Sequence, residues 1–202
     1  MNIKINCHSS ICVNDEIWFD PFRIIDGGKA KYIFITHSHF DHFSVDDIKK
    51  LLTNETKIIC PLSMKYDIEN LFDNEVVFVE PERVYKLDNL EFETFHSYNI
   101  NKQFHPKSNN WVGYNLKTNN EKIAVIGDSD NTPELNKIKT DFLLVPIGGT
   151  YTMTVQEAAN LTNNIKPKKV IPMHYGEIVG EKSFGKDFEK MIDKDIVCEL
   201  LI

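Results

Sequence analysis

ITHSHFDHFS, residues 35–44, places His37, His39, Asp41 and His42 within six residues, directly after an apolar run that begins at Tyr32. A strand ending at Thr36 would deliver this cluster to its carboxyl end, where α/β sheets gather their ligand-binding loops. Imidazole nitrogens and a carboxylate oxygen suit a divalent cation such as zinc, at about 2.0–2.2 Å. Without a cation, repulsion and desolvation would make such a cluster costly. Side chains at alternating positions of a turn can address two centres instead of one. The bland alternative is a solvated loop with chance histidines, but three of the chain's seven histidines stand in this one window.

One window cannot complete a site, and two further candidates follow apolar runs in the same manner. Asp128 ends AVIGD and His174 ends VIPMH. Alone, either residue reads as a helix cap or a satisfied surface group. Their matching placement, each at the end of a strand-like segment, points to one shared rim.

Outside these segments the chain reads as an α/β alternation. Short runs rich in Ile, Val, Phe and Tyr (residues 2–6, 10–14, 16–20 and 31–36) predict an opening set of strands. A helix should begin at Ser44, with Asp47 three residues on as a capping partner, followed by strand 56–60 and a second helix after Pro61 through Leu71. Residues 76–127 read as a β-meander of five strands, with turns at Asp88–Asn89 and Asn119–Asn120 and a polar loop at 97–110 that holds His105. A long loop inside a compact domain is more often functional than idle. Strand 141–146, a helix from Thr154 with Glu157 closing a capping box, strand 169–173, a helix near 184–192 and a last strand complete the chain. Each half thus runs from a strand meander into βα units, and residues 1–202 are expected to form a single domain.

Composition narrows the class. With 42% hydrophobic and 26% charged residues and no apolar run of membrane-spanning length, the chain reads as a cytoplasmic globular protein. MNIKINCHSS reads as a first strand and not a signal peptide. The net charge of −7 and the lack of a basic run argue against nucleic acid as a partner and leave a small-molecule substrate as the expectation. Cys7, Cys12, Cys60 and Cys198 form no CxxC pair and read as buried free thiols. The oligomeric state is open, with homo-oligomers allowed.

His37-x-His39-x-Asp41-His42, Gly127-Asp128 and Pro172-Met173-His174-Tyr175-Gly176 resemble, in order and spacing, the metallo-β-lactamase superfamily. The early His8-Ser9-Ser10, Asp20-Pro21 and the stretch GGTYTMTVQEAA are similar to small hydrolases related to ascorbate-6-phosphate lactonase and the N-acyl-phosphatidylethanolamine phospholipase D group. The resemblance implies an α+β fold, an αββα four-layer sandwich of two mixed β-sheets flanked by helices. It further implies two divalent metal ions, zinc or manganese. His37, His39 and a third histidine would hold one, Asp41, His42 and His174 the other, and Asp128 would bridge. The third histidine is His105 in FHPK or His96 in TFHSYN, with His105 favoured. The implied activity is metal-dependent hydrolysis of a small ester, lactone or phosphodiester by an activated hydroxide, with Asp41 and Asp128 as the catalytic carboxylates. A non-catalytic metal-binding or sensor module and a diiron oxidoreductase are the rival readings. His8 reads as a packed residue or an outer hydrogen-bond partner, Gly148–Gly149 as a tight turn or an anion cradle, and Phe104, Trp111 and Tyr151 as pocket or packing residues.

Overall fold

Apolar alternation and β-branched content make the first half of the chain a sheet. The computed structural model describes residues 1–118 and 120–202. Asn119, expected to share a turn with Asn120, lies outside the described residues. Strands β1 (Ile3–Cys7), β2 (Ser10–Val13), β3 (Ile17–Phe19), β4 (Tyr32–Phe34), β5 (Lys57–Pro61) and β6 (Glu75–Val79) lie side by side in chain order. The first three pair antiparallel and the last three join in parallel. Strands β7 (Val84–Leu87), β8 (Leu90–His96), β9 (Val112–Thr118), β10 (Glu121–Val125), β11 (Phe142–Pro146), β12 (Lys169–Met173) and β13 (Val197–Cys198) form the second sheet. It repeats the plan, with an antiparallel β7–β10 meander followed by parallel β11, β12 and β13.

The two sheets face each other across one core. Ile11, Phe19, Phe34 and Ile59 of the first sheet meet Phe92, Tyr114, Leu116 and Leu144 of the second. Phe34 anchors this core, with its ring centroid 5.0 Å from Phe19, 5.2 Å from Phe92 and 5.0 Å from Tyr114. Each fully buried large side chain contributes about 1.5–3 kcal/mol, and well-placed aromatic pairs add about 0.5–1.5 kcal/mol. Helices α1 (Val45–Leu51) and α2 (Lys65–Ile68), with the 3₁₀ turn before α2, cover the outer face of the first sheet through Ile48, Leu51, Met64 and Ile68. Helices α3 (Val155–Ile165) and α4 (Ser183–Met191) cover the second through Ala158, Leu161, Ile165 and Phe188. Helix, sheet, sheet and helix give the four-layer αββα arrangement.

Local readings fare unevenly. The box on α3 forms as expected: Thr154 Oγ1 accepts from the Glu157 amide, and the Glu157 carboxylate accepts from the Thr154 amide. The analogous box at Ser44 does not form. Ser44 Oγ instead donates to Asp47 Oδ2 at 2.8 Å, because that carboxylate is taken by the Arg23 and Ile24 amides at 2.8 and 3.0 Å and by Lys50. The helix after Pro61 is a 3₁₀ turn and one α-turn that stops at Ile68, short of the expected Leu71, as Asn70 enters the left-handed region at φ +62°. The meander expected from residue 76 begins one strand later. β6 pairs in parallel with β5 and stays in the first sheet, and the chain crosses to the second through Pro81 to Arg83. Cys7, Cys12 and Cys60 are buried free thiols, whereas Cys198 is half-buried. No helix among the described residues is long and apolar enough to cross a membrane.

The 97–110 loop is pinned to the fold at several points. Lys107 Nζ donates to Glu134 Oε1 at 2.6 Å and Tyr98 Oη donates to Glu134 Oε2 at 3.0 Å, which brings the Glu134 carboxyl down to about 2. A depressed carboxyl stabilises the fold above its unfolded value near 4.5, and that contribution is lost as pH falls through the window toward 2. Glu134→Gln is therefore expected to cost up to about 1 kcal/mol at pH 7, a figure reduced by solvent screening, and only a small remnant of that near pH 2. Urea unfolding of both proteins at pH 7, 4 and 2 measures the difference, and a penalty independent of pH would contradict this account.

Candidate metal centre

The carboxyl ends of strands from both sheets meet at one rim, and hydrogen bonds hold them together. The His174 amide donates to the His8 carbonyl at 3.1 Å, the Val112 amide to the Thr36 carbonyl at 3.2 Å, and Tyr114 Oη to the Ile35 carbonyl at 2.7 Å. Each bond joins one sheet to the other beside the histidine-rich loop. His8 and His174 both adopt left-handed backbone, at φ +52° and +59°, which costs on the order of 1 kcal/mol for a residue with a Cβ. Gly127, at φ +69°, turns the chain after β10 so that Asp128 faces inward. Gly148 allows the His174 loop to lie against it, since a Cβ there would collide with the His174 carbonyl oxygen. Close approach thus accounts for this glycine.

Seven residues singled out from the sequence converge. His37, His39 and His105 offer nitrogens within 4.8 Å of one another, as do His37 and His42 with an Asp128 oxygen, and Asp41, His42 and His174 with His8. Asp128 stands between the groups: its carboxylate lies 3.3 Å from His42 Nε2, 3.3 Å from His105 Nε2 and 3.0 Å from His174 Nε2. His105 comes to the cluster, whereas His96 stays on β8, edge-on to Tyr98 at 6.1 Å. Trp111 lies beneath the first group, its ring centroid 4.9 Å from both His37 and His39 and 5.6 Å from His105.

Outer partners aim these rings. Asp20 Oδ2 accepts from His42 Nδ1 at 2.7 Å and from Thr36 Oγ1 at 2.7 Å, and its Oδ1 accepts from the Thr36 amide at 2.8 Å. With its proton given to Asp20, Thr36 Oγ1 accepts from His37 Nδ1 at 2.9 Å. Asn99 Oδ1 accepts from His105 Nδ1 at 3.0 Å. This network puts protons of His37, His42 and His105 on the outward nitrogens and turns each Nε2 inward. Of these partners, Thr36 and Asn99 carry no sequence signal. Asp20 does, because it ends the strand-like segment EIWFD just as Asp128 ends AVIGD.

The donor set fits a cation. His42 Nε2, His105 Nε2, His174 Nε2 and Asp128 Oδ1 are buried without a hydrogen-bond partner, although each sits close to others of the set, so these atoms face a common space. Buried polar atoms ordinarily find partners, and a shared positive charge would satisfy all four. The charges agree. Despite burial, His174 and His42 hold Asp128 well below the usual carboxylate range. Despite burial, Asp128 and Asp20 push His42 well above the ordinary imidazole value, and Asp128 likewise raises His174. Burial, with His42 beside it, drives His37 well down, and burial, with His105, lowers His39. One side of the cluster favours positive charge, and the other presents neutral imidazoles ready to ligate.

A family model described as the beta-lactamase superfamily domain matches residues 5–174. A UPF0173 protein of Pyrococcus furiosus is 29% identical over 195 residues, covering 93% of this chain and 88% of that one. A UPF0173 metal-dependent hydrolase of Thermococcus onnurineus is 30% identical over 176 residues, 81% of this chain and 75% of its own. The solved structure of Igni18, a metallo hydrolase from the archaeon Ignicoccus hospitalis, superposes with a TM-score of 0.78 at 19% identity, over 98% of this chain and 93% of that one. Fold and relatives define an enzyme of the metal-dependent hydrolase class. The chain belongs to the metallo-β-lactamase superfamily and, within it, to the UPF0173 metal-dependent hydrolases.

His8 is the residue whose sequence reading carried least. It is fully buried, and its Nε2 lies 3.1 Å from Asp41 Oδ2, with its ring centroid 3.9 Å from that of His174. Removing a hydrogen-bond partner of a metal-holding group costs about 10–100-fold in affinity. His8→Ala is expected to weaken metal binding by that factor at the Asp41 position, read by elemental analysis after dialysis against graded chelator. Unchanged metal retention would reduce His8 to a packing residue.

Proposed function

We propose that the chain holds two divalent cations, zinc or manganese, and hydrolyses a small ester, lactone or phosphodiester. His37, His39 and His105 would hold one cation, Asp41, His42 and His174 the other, with Asp128 shared between them. The observation that carries this reading is the convergence of buried, unpartnered Nε2 atoms of His42, His105 and His174 around Asp128. When bound, such a pair lowers the pKa of water toward neutrality and polarises the scissile carbonyl or phosphoryl oxygen.

The chain's own groups do the rest. Asp41 and Asp128 orient the attacking water by accepting its hydrogens, and either carboxylate can pass the proton to the leaving group. Asp20 and Asn99 keep the His42 and His105 rings turned inward. Structural zinc sites are typically closed and rich in cysteine, whereas this donor set is histidine and carboxylate and borders a pocket, which favours catalysis over a purely structural role. The buried free thiols suit a reducing compartment, and we assign the protein to the cytoplasm on that ground.

Titration of chelator-treated protein with zinc or manganese is expected to saturate at two ions per chain, to shift the emission of Trp111 beside His37 and His39, and to raise the melting temperature. His39→Ala should lose metal from one position and lower hydrolysis of reporter esters and phosphodiesters by at least about 100-fold. Full metal content together with full turnover in that variant would refute the assignment.

A further inference from the structure

Beside the metal-holding residues lies a pocket of about 330 Å³ whose floor is His39, Asp41, His105, Asp128 and His174. Its walls come from four separate loops: Phe40, Phe104, Tyr151, and Ile178 with Val179. Phe104 and Tyr151 pack edge to face, with centroids 4.6 Å apart, and form one continuous wall. Phe40 stands on another lip, 69% exposed, and Phe104, Tyr151 and Ile178 are also substantially exposed. Leaving these side chains open to water around a single mouth is unfavourable unless something apolar covers them.

Basic side chains stand outside this pocket. Among the described residues, no lysine or arginine lines the pocket. Lys102, in the loop that carries Phe104, is held by Asp130, which also accepts from Asn99 and from the Ile100 amide. Arg23, next to the Phe22 ring that faces Phe40, lies 3.4 Å from Glu177. Recognition of a phosphate or of a second carboxylate away from the reacting bond calls for Arg or Lys aimed at it. None is free here.

We infer that the substrate is a carboxylic ester or lactone carrying an uncharged apolar group, which lies against Phe104 and Tyr151 while the carbonyl sits over the histidine floor. This rests on the hydrolase reading above and narrows it away from phosphodiesters and phosphorylated sugars. Water adds to the carbonyl carbon, the bond from that carbon to the ester oxygen breaks with its electron pair staying on the oxygen, and the oxygen takes a proton from the water. The products are a carboxylic acid and an alcohol, or a hydroxy acid from a lactone.

Two measurements on metal-loaded protein test it separately from catalysis. In calorimetric titrations, hexanoate should bind at least tenfold more tightly than acetate and more tightly than succinate, since burying two methylenes is worth on the order of tenfold. The double variant Phe104→Ala, Tyr151→Ala should lose most of that ratio with its metal content unchanged. Hexanoate binding no tighter than acetate or succinate overturns the inference. In turnover assays, p-nitrophenyl hexanoate should exceed both p-nitrophenyl acetate and bis(p-nitrophenyl) phosphate in kcat/KM. Preference for the phosphodiester overturns the inference and leaves the hydrolase reading standing. Selective hexanoate binding with no turnover of any reporter supports the pocket assignment and removes the hydrolase reading beneath it.

Discussion

A buried carboxylate surrounded by imidazoles is the constraint on which this molecule turns. Asp128 has lost its water shell, and its compensation comes from three histidines that face it without satisfactory hydrogen-bond geometry. Such a group is tolerable only with positive charge close by, whether on the rings themselves or on a cation between them. The two sheets deliver the required pieces from opposite sides. Neither sheet could assemble the set alone, because His37 and His42 follow β4 while Asp128 and His174 follow β10 and β12.

The aromatic centre and the rim are mechanically linked. Tyr114 packs in the middle of the core against Phe34 and spends its hydroxyl on the Ile35 carbonyl, two residues before His37. The facing sheet therefore fixes the height of the histidine loop. Proteins place catalytic loops on rigid scaffolds for this reason, since a small displacement of a ligand is expensive in geometry and in charge.

Much of this was readable from the amino acids because the informative residues are local. Four ligand-type side chains in one turn, and carboxylate or imidazole at the ends of apolar runs, need no tertiary knowledge. What escaped depended on distant partners. Ser44 and Asp47 have the spacing of a cap, yet Asp47 is claimed by amides more than twenty residues away. Strand β6 has the same composition as its successors, and only its pairing with β5 shows which sheet it joins. Thr36 and Asn99 are common residues, and their tasks emerge only when His37 and His105 are found beside them. The choice between His105 and His96 turned on loop trajectory, which periodicity does not encode.

Asn99 makes a further bond whose consequence reaches beyond the orientation of His105. Its Oδ1 steadies His105, and its Nδ2 reaches the carbonyl of Tyr151 at 2.9 Å, so a single amide connects a member of the histidine cluster to the aromatic wall. Evolution toward new specificities would find this junction awkward. Remodelling the Tyr151 loop for a bulkier molecule would tug on His105, and the opposite lip is no freer in its backbone, because Phe40 stands between His39 and Asp41. Natural variation in selectivity within the family should therefore run through side-chain exchanges at the pocket mouth with the loop backbones kept, and directed-evolution libraries would do well to begin with such exchanges.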